Sequence, residues 1–184
     1  ELRLMASLSH RNIVELIDHG TVHGHPELPD GARYLVLELC NGLDLDQRPP
    51  ETWDELKHIT EGMLTGLAYA HARGVVHRDL KPGNVLFDRL TESITETTVK
   101  LTDFGIAARL EAGVGQGQAG AGTPKYMAPE QIESDWRSQG PWTDLYAIGC
   151  VAYELAAGRP PFTGDSHRAV AAAHLSTPVP PMTA

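Results

Sequence analysis

Apolar positions along this chain recur at two spacings, and the spacing changes from segment to segment. Leu56, Ile59, Met63, Leu64, Leu67 and Ala70 keep one apolar face, the mark of a long packing helix. Thr52 with Glu55 three residues on supplies a capping-box start, and Gly74 a stop. Residues 142–157 are apolar nearly all round (Leu145, Tyr146, Ile148, Val151, Leu155), which predicts a buried central helix. Residues 166–175 read as one more amphipathic helix, and Leu2, Met5 and Leu8 as the end of another, closed by Ser9-His10-Arg11-Asn12. Strand-like runs cover residues 13–17 and 34–39, joined by a Gly-, Pro- and His-rich connection over about residues 20–31. The mixture points to an α+β fold.

The richest stretch is Val75-Val76-His77-Arg78-Asp79-Leu80-Lys81-Pro82-Gly83-Asn84-Val85-Leu86-Phe87. Two apolar runs bracket a charged loop ending in Pro-Gly-Asn, which predicts strand, tight loop, strand. The loop gathers a carboxylate, an ammonium and an amide. The first accepts a proton, the second neutralises phosphate charge, and the amide oxygen ligates a hard cation. Phosphoryl transfer needs that set, because its catalysis is mostly positioning and charge stabilisation. Residues 99–102 form a strand delivering Asp103. Between the two expected hairpin strands, residues 89–98 exceed a tight turn and read as a surface insertion with no catalytic role. Residues 105–123 are rich in Ala, Gly and Gln and are expected to be mobile. Asp144, near the start of the central helix, is either a first-turn acid favoured by the helix dipole or a buried group needing partners.

Composition narrows the function. At 184 residues the chain suffices for one domain with a substantial core. A formal net charge of -9 argues against a nucleic-acid surface, which is normally basic. Cys40 and Cys150 stand alone in apolar runs, so two buried free thiols are expected, with no disulfide framework or zinc spacing. No apolar stretch reaches bilayer length and no signal pattern opens the chain. The expectation is a soluble, cytoplasmic piece whose parent chain could be membrane-anchored, with the oligomeric state left open.

The run from His77 to Asn84 resembles the protein-kinase catalytic loop, H-R-D-L-x-x-x-N. Asp103-Phe104-Gly105 and Ala128-Pro129-Glu130 follow in the family's order and at about its distances. Three ordered motifs on suitable local structure mark the chain as similar to Hanks-type serine/threonine protein kinases, with ATP and Mg2+ as cofactors and a protein Ser/Thr hydroxyl as acceptor. A lysine two residues after the aspartate resembles the Ser/Thr class, and Pro161-Phe162-Thr163-Gly164-Asp165 leans toward bacterial receptor-like kinases. The resemblance implies a protein-kinase-like fold: a partial N-lobe over 1–37, a hinge over 38–44 and a mostly helical C-lobe over 45–184. It implies Asp79 as the proton acceptor, Lys81 on the transferring phosphate, and Asn84 and Asp103 as magnesium ligands. Main-chain groups of Glu38 and Cys40 would bond adenine, Leu37 would guard the back pocket, Leu86 would lie under the ring, and Asp44 would reach the ribose. Glu1 matches the helix glutamate that pairs with a strand lysine. Thr123 would hydrogen-bond Asp79 and Lys81 and so is expected not to be a phosphosite. Arg78, Phe104, Gly105, Glu130 and Asp144 would support the site, Asp144 by holding catalytic-loop amides. The arginine partner of Glu130 is expected to be missing.

No Gly-rich loop or Val-Ala-Ile-Lys-like strand precedes Glu1, and the Pro-rich tail from Pro178 stops before a complete lobe would end. The expectation is therefore a domain truncated at both ends. The alternative is a non-catalytic kinase-like binding module. The intact set of Asp79, Lys81, Asn84 and Asp103 favours descent from an active enzyme. A plain α+β domain without activity would need all three motifs to be accidental.

Overall fold

The computed structural model describes residues 8–104 and 124–182. The sequence expectations for Glu1, Gly105, Thr123, most of the first helix and the Gly-rich segment lie outside the described residues.

Helix α1, Trp53–His71, begins at the predicted cap, with the Thr52 hydroxyl accepting from the Glu55 amide at 3.2 Å, while the Glu55 carboxylate accepts from the Glu51 amide at 2.9 Å. It gives way to a turn in which Gly74 takes the left-handed φ of +74°. Ile59, Met63, Leu67 and Ala70 are buried against the core. Leu64 is not on that face and is 40 % exposed, because it follows Met63 by 100° around the helix. The stripe is completed by two glycines instead. Gly62 and Gly66 bring the helix so close to β4 (Val99–Leu101) that a Cβ on either would meet Val99 or the Asn12 carbonyl under 3 Å away.

Strand β4 pairs antiparallel with β3, Val85–Phe87, in the register Val85↔Leu101, Leu86↔Lys100 and Phe87↔Val99. All three residues of β4 are buried, so the ribbon runs through the core. The strand expected before the charged loop, at Val75-Val76, is absent. Residues 75–81 join no ladder and have no regular secondary structure, and Pro82–Asn84 makes one 3-10 turn into β3. A proline without an N–H, in a loop bonded from elsewhere, cannot continue a ladder.

Residues 12–14 attach to the free edge of β4, through Leu101 N to Asn12 O (3.0 Å) and Val14 N to Leu101 O (2.9 Å). This pairing takes up the first part of the strand expected over residues 13–17, and the strand proper, β1, runs Leu16–Thr21. It pairs antiparallel with β2, Arg33–Leu37. Both strands are mostly exposed, so the polar residues of Asp18-His19-Gly20-Thr21 are no obstacle to pairing, and hydropathy misplaces the boundaries.

The insertion after β3 is a better-anchored element than a surface loop. Ile94 is 2 % exposed. Glu55 of α1 accepts from the Ile94 amide (3.0 Å) and the Ser93 hydroxyl (3.1 Å), and Arg48 donates to Thr91 O at 2.6 Å.

Helix α2, Pro129–Ile132, is a single turn. Helix α3, Pro141–Ala157, ends at Gly158 in the left-handed conformation. It is buried on one side rather than all round: Ala147, Ile148 and Val151 join the core with Ile59, Met63 and Leu67. Leu145 stays 50 % and Trp142 59 % exposed. Helix α4, His167–Ser176, is capped by the Ser166 hydroxyl, which accepts from the Ala169 amide. Cys150 is buried as expected, and burial pushes its thiol up to about 12. Cys40 is only half-buried, a correction that follows from its place in an open connecting segment after β2.

Candidate active site

The loop over residues 77–84 is shaped from below by α3. Asp144 is 1 % exposed in the first turn of that helix. Its carboxylate accepts from the His77 amide (2.8 Å), the Arg78 amide (2.8 Å) and the His71 ring (2.7 Å). Arg78 takes φ of +67°, uncommon for a residue with a side chain. Two charge-assisted hydrogen bonds to consecutive amides hold the chain in that conformation. Gln131 adds a second brace, donating to the Arg78 carbonyl at 2.7 Å.

His77 is fully buried. Its Nε2 lies 2.8 Å from the Thr102 carbonyl and its Nδ1 accepts from the Asp79 amide at 3.3 Å. Burial pulls its pKa below the usual histidine range, so the ring is neutral and Nε2 carries the proton. The ring rests on Phe104 at 4.5 Å between centroids. Phe104 is 5 % exposed, and through this stack the Asp103-Phe104 corner is tied to the Asp79 loop. In the sequence His77 stands out only as part of the motif, and its neighbours Val75 and Val76 carry no sign that it is the buried coupling between the two loops.

Asp79 presents a half-exposed carboxylate. Lys81 Nζ lies 2.8 Å from Asp79 Oδ2, and Asn84 Nδ2 donates to the same oxygen at 3.2 Å and to the Asp79 carbonyl at 2.8 Å. With its amide nitrogen so used, the buried Asn84 keeps Oδ1 free of any hydrogen bond from the described residues. The β3–β4 ladder continues one step, with Thr102 N donating to Asn84 O at 3.1 Å. Asn84 is therefore opposite Thr102, and Asp103 is the next residue, exposed and at φ of +59°. Asp79, Lys81, Asn84 and Asp103 are thus brought to one end of the ribbon.

An oxygen donor set of one exposed carboxylate and one amide suits Mg2+, which keeps several waters and is completed by substrate phosphates rather than by a protein cage. Among the described residues no three His, Cys, Asp or Glu side chains converge as a metal cage.

Beside Asp79 opens a cavity of about 380 Å³ lined by Lys81, Lys125, Tyr126, Met127 and Gln131. Tyr126 closes its far side by donating to Glu154 at 2.6 Å, and burial foremost, then Glu154, holds the phenol far above its ordinary pKa. Glu130, expected to lack a partner, accepts from the Thr143 hydroxyl at 2.6 Å. This tethers α2 to the first turn of α3 without an arginine.

The segment after β2 runs antiparallel along the free edge of β3. Gly42 N donates to Phe87 O (3.0 Å), Phe87 N to Leu43 O (3.0 Å) and Leu45 N to Val85 O (2.9 Å). Leu86 is half-buried beside it. Leu37 lines a small cavity of about 20 Å³ with Phe104 and Asp103. Asp44 Oδ1 accepts from the Gln47 amide, so its carboxylate is partly spent on a turn. Among the described residues no hydrogen bond engages the Glu38 carbonyl or the Cys40 amide.

A helical body carrying a short antiparallel ribbon, with an Asp–Lys–Asn loop at one end and an Asp-Phe corner beside it, is the arrangement expected of a protein kinase domain. The protein kinase domain profile matches residues 1–180, and the chain belongs to that family. It is 40 % identical over 188 residues to the serine/threonine-protein kinase PknA of Mycobacterium tuberculosis, covering 99 % of this chain and 41 % of PknA. The probable serine/threonine-protein kinase PknB of Bifidobacterium longum is 36 % identical over 196 residues, covering 100 % of this chain and 27 % of that protein. Among solved structures, Rad53 1–466 in complex with AMP-PNP superposes with a TM-score of 0.68 at 28 % identity, covering 93 % of this chain and 40 % of that one. The chain thus spans between about a quarter and two-fifths of the length of these proteins, of which the two bacterial ones are named serine/threonine-protein kinases.

Proposed function

We propose that the protein carrying this chain transfers the γ-phosphoryl group of ATP to Ser or Thr hydroxyls of protein substrates. The observation that carries this reading is the shared Asp79 carboxylate, bonded by both Lys81 and Asn84 and lining a cavity of about 380 Å³. Asp79 accepts the hydrogen bond of the incoming hydroxyl and takes its proton as the bond to phosphorus forms. Lys81, 2.8 Å from the Asp79 carboxylate, supports this reading as the group that neutralises charge on the transferring phosphate. Asn84 Oδ1 and the Asp103 carboxylate are the oxygens that would hold Mg2+, which when bound offsets charge across the phosphates. The Lys125–Met127 wall of the cavity positions the acceptor segment. Residues 38–44 form the hinge, where the Glu38 carbonyl and Cys40 amide bond the adenine edge over Leu86. On this reading 1–37 belongs to the N-lobe and 45–184 to the C-lobe, and the enzyme works in the cytoplasm, where ATP is abundant. Nucleic acid is not a partner.

The test is a radiolabel transfer assay on the full-length protein with a Ser/Thr-containing acceptor. Asp79→Ala is expected to lower turnover by about 10²–10⁴-fold while nucleotide binding persists. Wild-type turnover no higher than that of Asp79→Ala would remove the enzyme reading in favour of a binding module.

A further inference from the structure

Lys100 is a charged residue in the middle of β4, its side chain 11 % exposed, between the buried Val99 and Leu101. It pairs with Leu86 across the ladder, so both side chains leave the ribbon on the same face. There its Nζ lies 2.8 Å from Glu38 Oε2. The same carboxylate oxygen accepts from the Glu15 amide at 3.2 Å, and the Glu38 amide donates to the Glu15 carbonyl at 2.9 Å. The side chain and amide of Glu38 are thus both committed, one largely to β4 and the other to the residue before β1. Its carbonyl, and the amide of Cys40, carry no hydrogen bond among the described residues.

A buried ammonium ion is costly to desolvate, and an apolar side chain of similar volume would fill the space at least as well. The pairing does what an apolar residue could not: it anchors the Glu38 side chain, so that residue 38 is held through both its carboxylate and its amide. We propose that Lys100 is a positioning residue for base recognition, its ion pair with Glu38 holding the residue 38–40 main chain so that the site selects adenine over guanine. This rests on the kinase reading of the site. Adenine presents an exocyclic amine to such a carbonyl, whereas guanine presents an oxygen. A carbonyl held in place repels that oxygen, and one free to turn does not, so rigidity here is selectivity.

The experiment is a binding titration of MgADP and MgGDP to the full-length protein, with transfer measured separately at saturating ATP. Lys100→Met is expected to weaken ADP binding by about tenfold and to leave GDP binding nearly unchanged, so that the adenine-to-guanine ratio collapses. Lys100→Arg restores most of the ratio. Glu38→Gln, which removes the partner from the more exposed side, reproduces the Lys100→Met result and serves if that variant does not fold. An unchanged ratio in either folded variant, or an equal loss for both nucleotides that arginine does not recover, overturns the inference and leaves the kinase reading standing. Failure of wild type to bind ADP overturns both together.

Discussion

At the scale of single residues, the informative groups are polar side chains that are buried and fully used. Asp144 and His77 illustrate this in the site, and Glu55 does so away from it. Glu55 is buried at the start of α1 and accepts from the Glu51 amide (2.9 Å), the Ile94 amide and the Ser93 hydroxyl. The Glu51 hydrogen bond foremost, with the others added, holds its carboxyl below the usual carboxylate value against the opposing effect of burial. A depressed folded-state pKa means that the unfolded chain binds the proton more readily. The stabilisation is therefore complete above the ordinary value of 4.5 and is lost as pH falls through the folded value. Glu55→Gln is expected to lower stability at pH 7 by about 1–3 kcal/mol. Urea midpoints measured against pH should show the gap between variant and wild type closing as pH falls below 4.5; a gap that stays constant would mean that the charge is irrelevant.

At the scale of elements, the contact between α1 and β4 decides how the ribbon sits. Gly66 faces Asn12 O, which a Cβ would approach to 2.8 Å, and Leu101 Cδ1 at 3.2 Å. The Asn12 carbonyl cannot retreat without breaking its bond from Leu101 N, and the Asn12 side chain is itself fixed by donating to Val99 O at 2.7 Å. Alanine at position 66 gains about 1 kcal/mol in helix propensity and loses about 1–3 kcal/mol to overpacking. Gly66→Ala is thus expected to be destabilising on balance, in contrast to the usual gain for Gly→Ala inside a helix. A rise in the denaturation midpoint would show that the helix can move off the ribbon without cost. The Pro82 turn follows the same logic: loop 77–84 has no ladder of its own, so its shape comes from α3 through Asp144 and from α2 through Gln131.

At the scale of the whole molecule, burial is uneven. The β3–β4 ribbon and the inner faces of α1 and α3 share one core, with Phe87, Val99, Leu101, Met63 and Val151 each no more than 1 % exposed. The β1–β2 hairpin is mostly exposed on both strands and is joined to that core through residues 12–14 and the Glu38–Lys100 pair. Hydrogen exchange should therefore separate the two. Amides of β4 and mid-α1 exchange only through global unfolding, while β1–β2 amides exchange by local opening at lower free energy. Equal protection in both would contradict this division.

The sequence alone determined the motifs and the helices. A 3.6-residue repeat, a Thr52 cap and a terminating glycine are local signals, and α1, α3 and α4 obey them. The order of Asp79, Asn84 and Asp103 was likewise legible, because residue type and spacing are printed in the chain. Tertiary structure decided what depends on distant partners. The bounds of β1 and β2 moved because an exposed hairpin imposes no hydropathy pattern. Val75 and Val76 lost their expected strand because Val75 closes onto the end of α1 and the loop that follows draws its hydrogen bonds from α3. Glu130 found Thr143, Ile94 found the pocket beneath Glu55, and Lys100 found Glu38 62 positions away in the chain. Such pairings are set by which elements the core brings side by side, and that is a property of the packed molecule rather than of any window of its sequence.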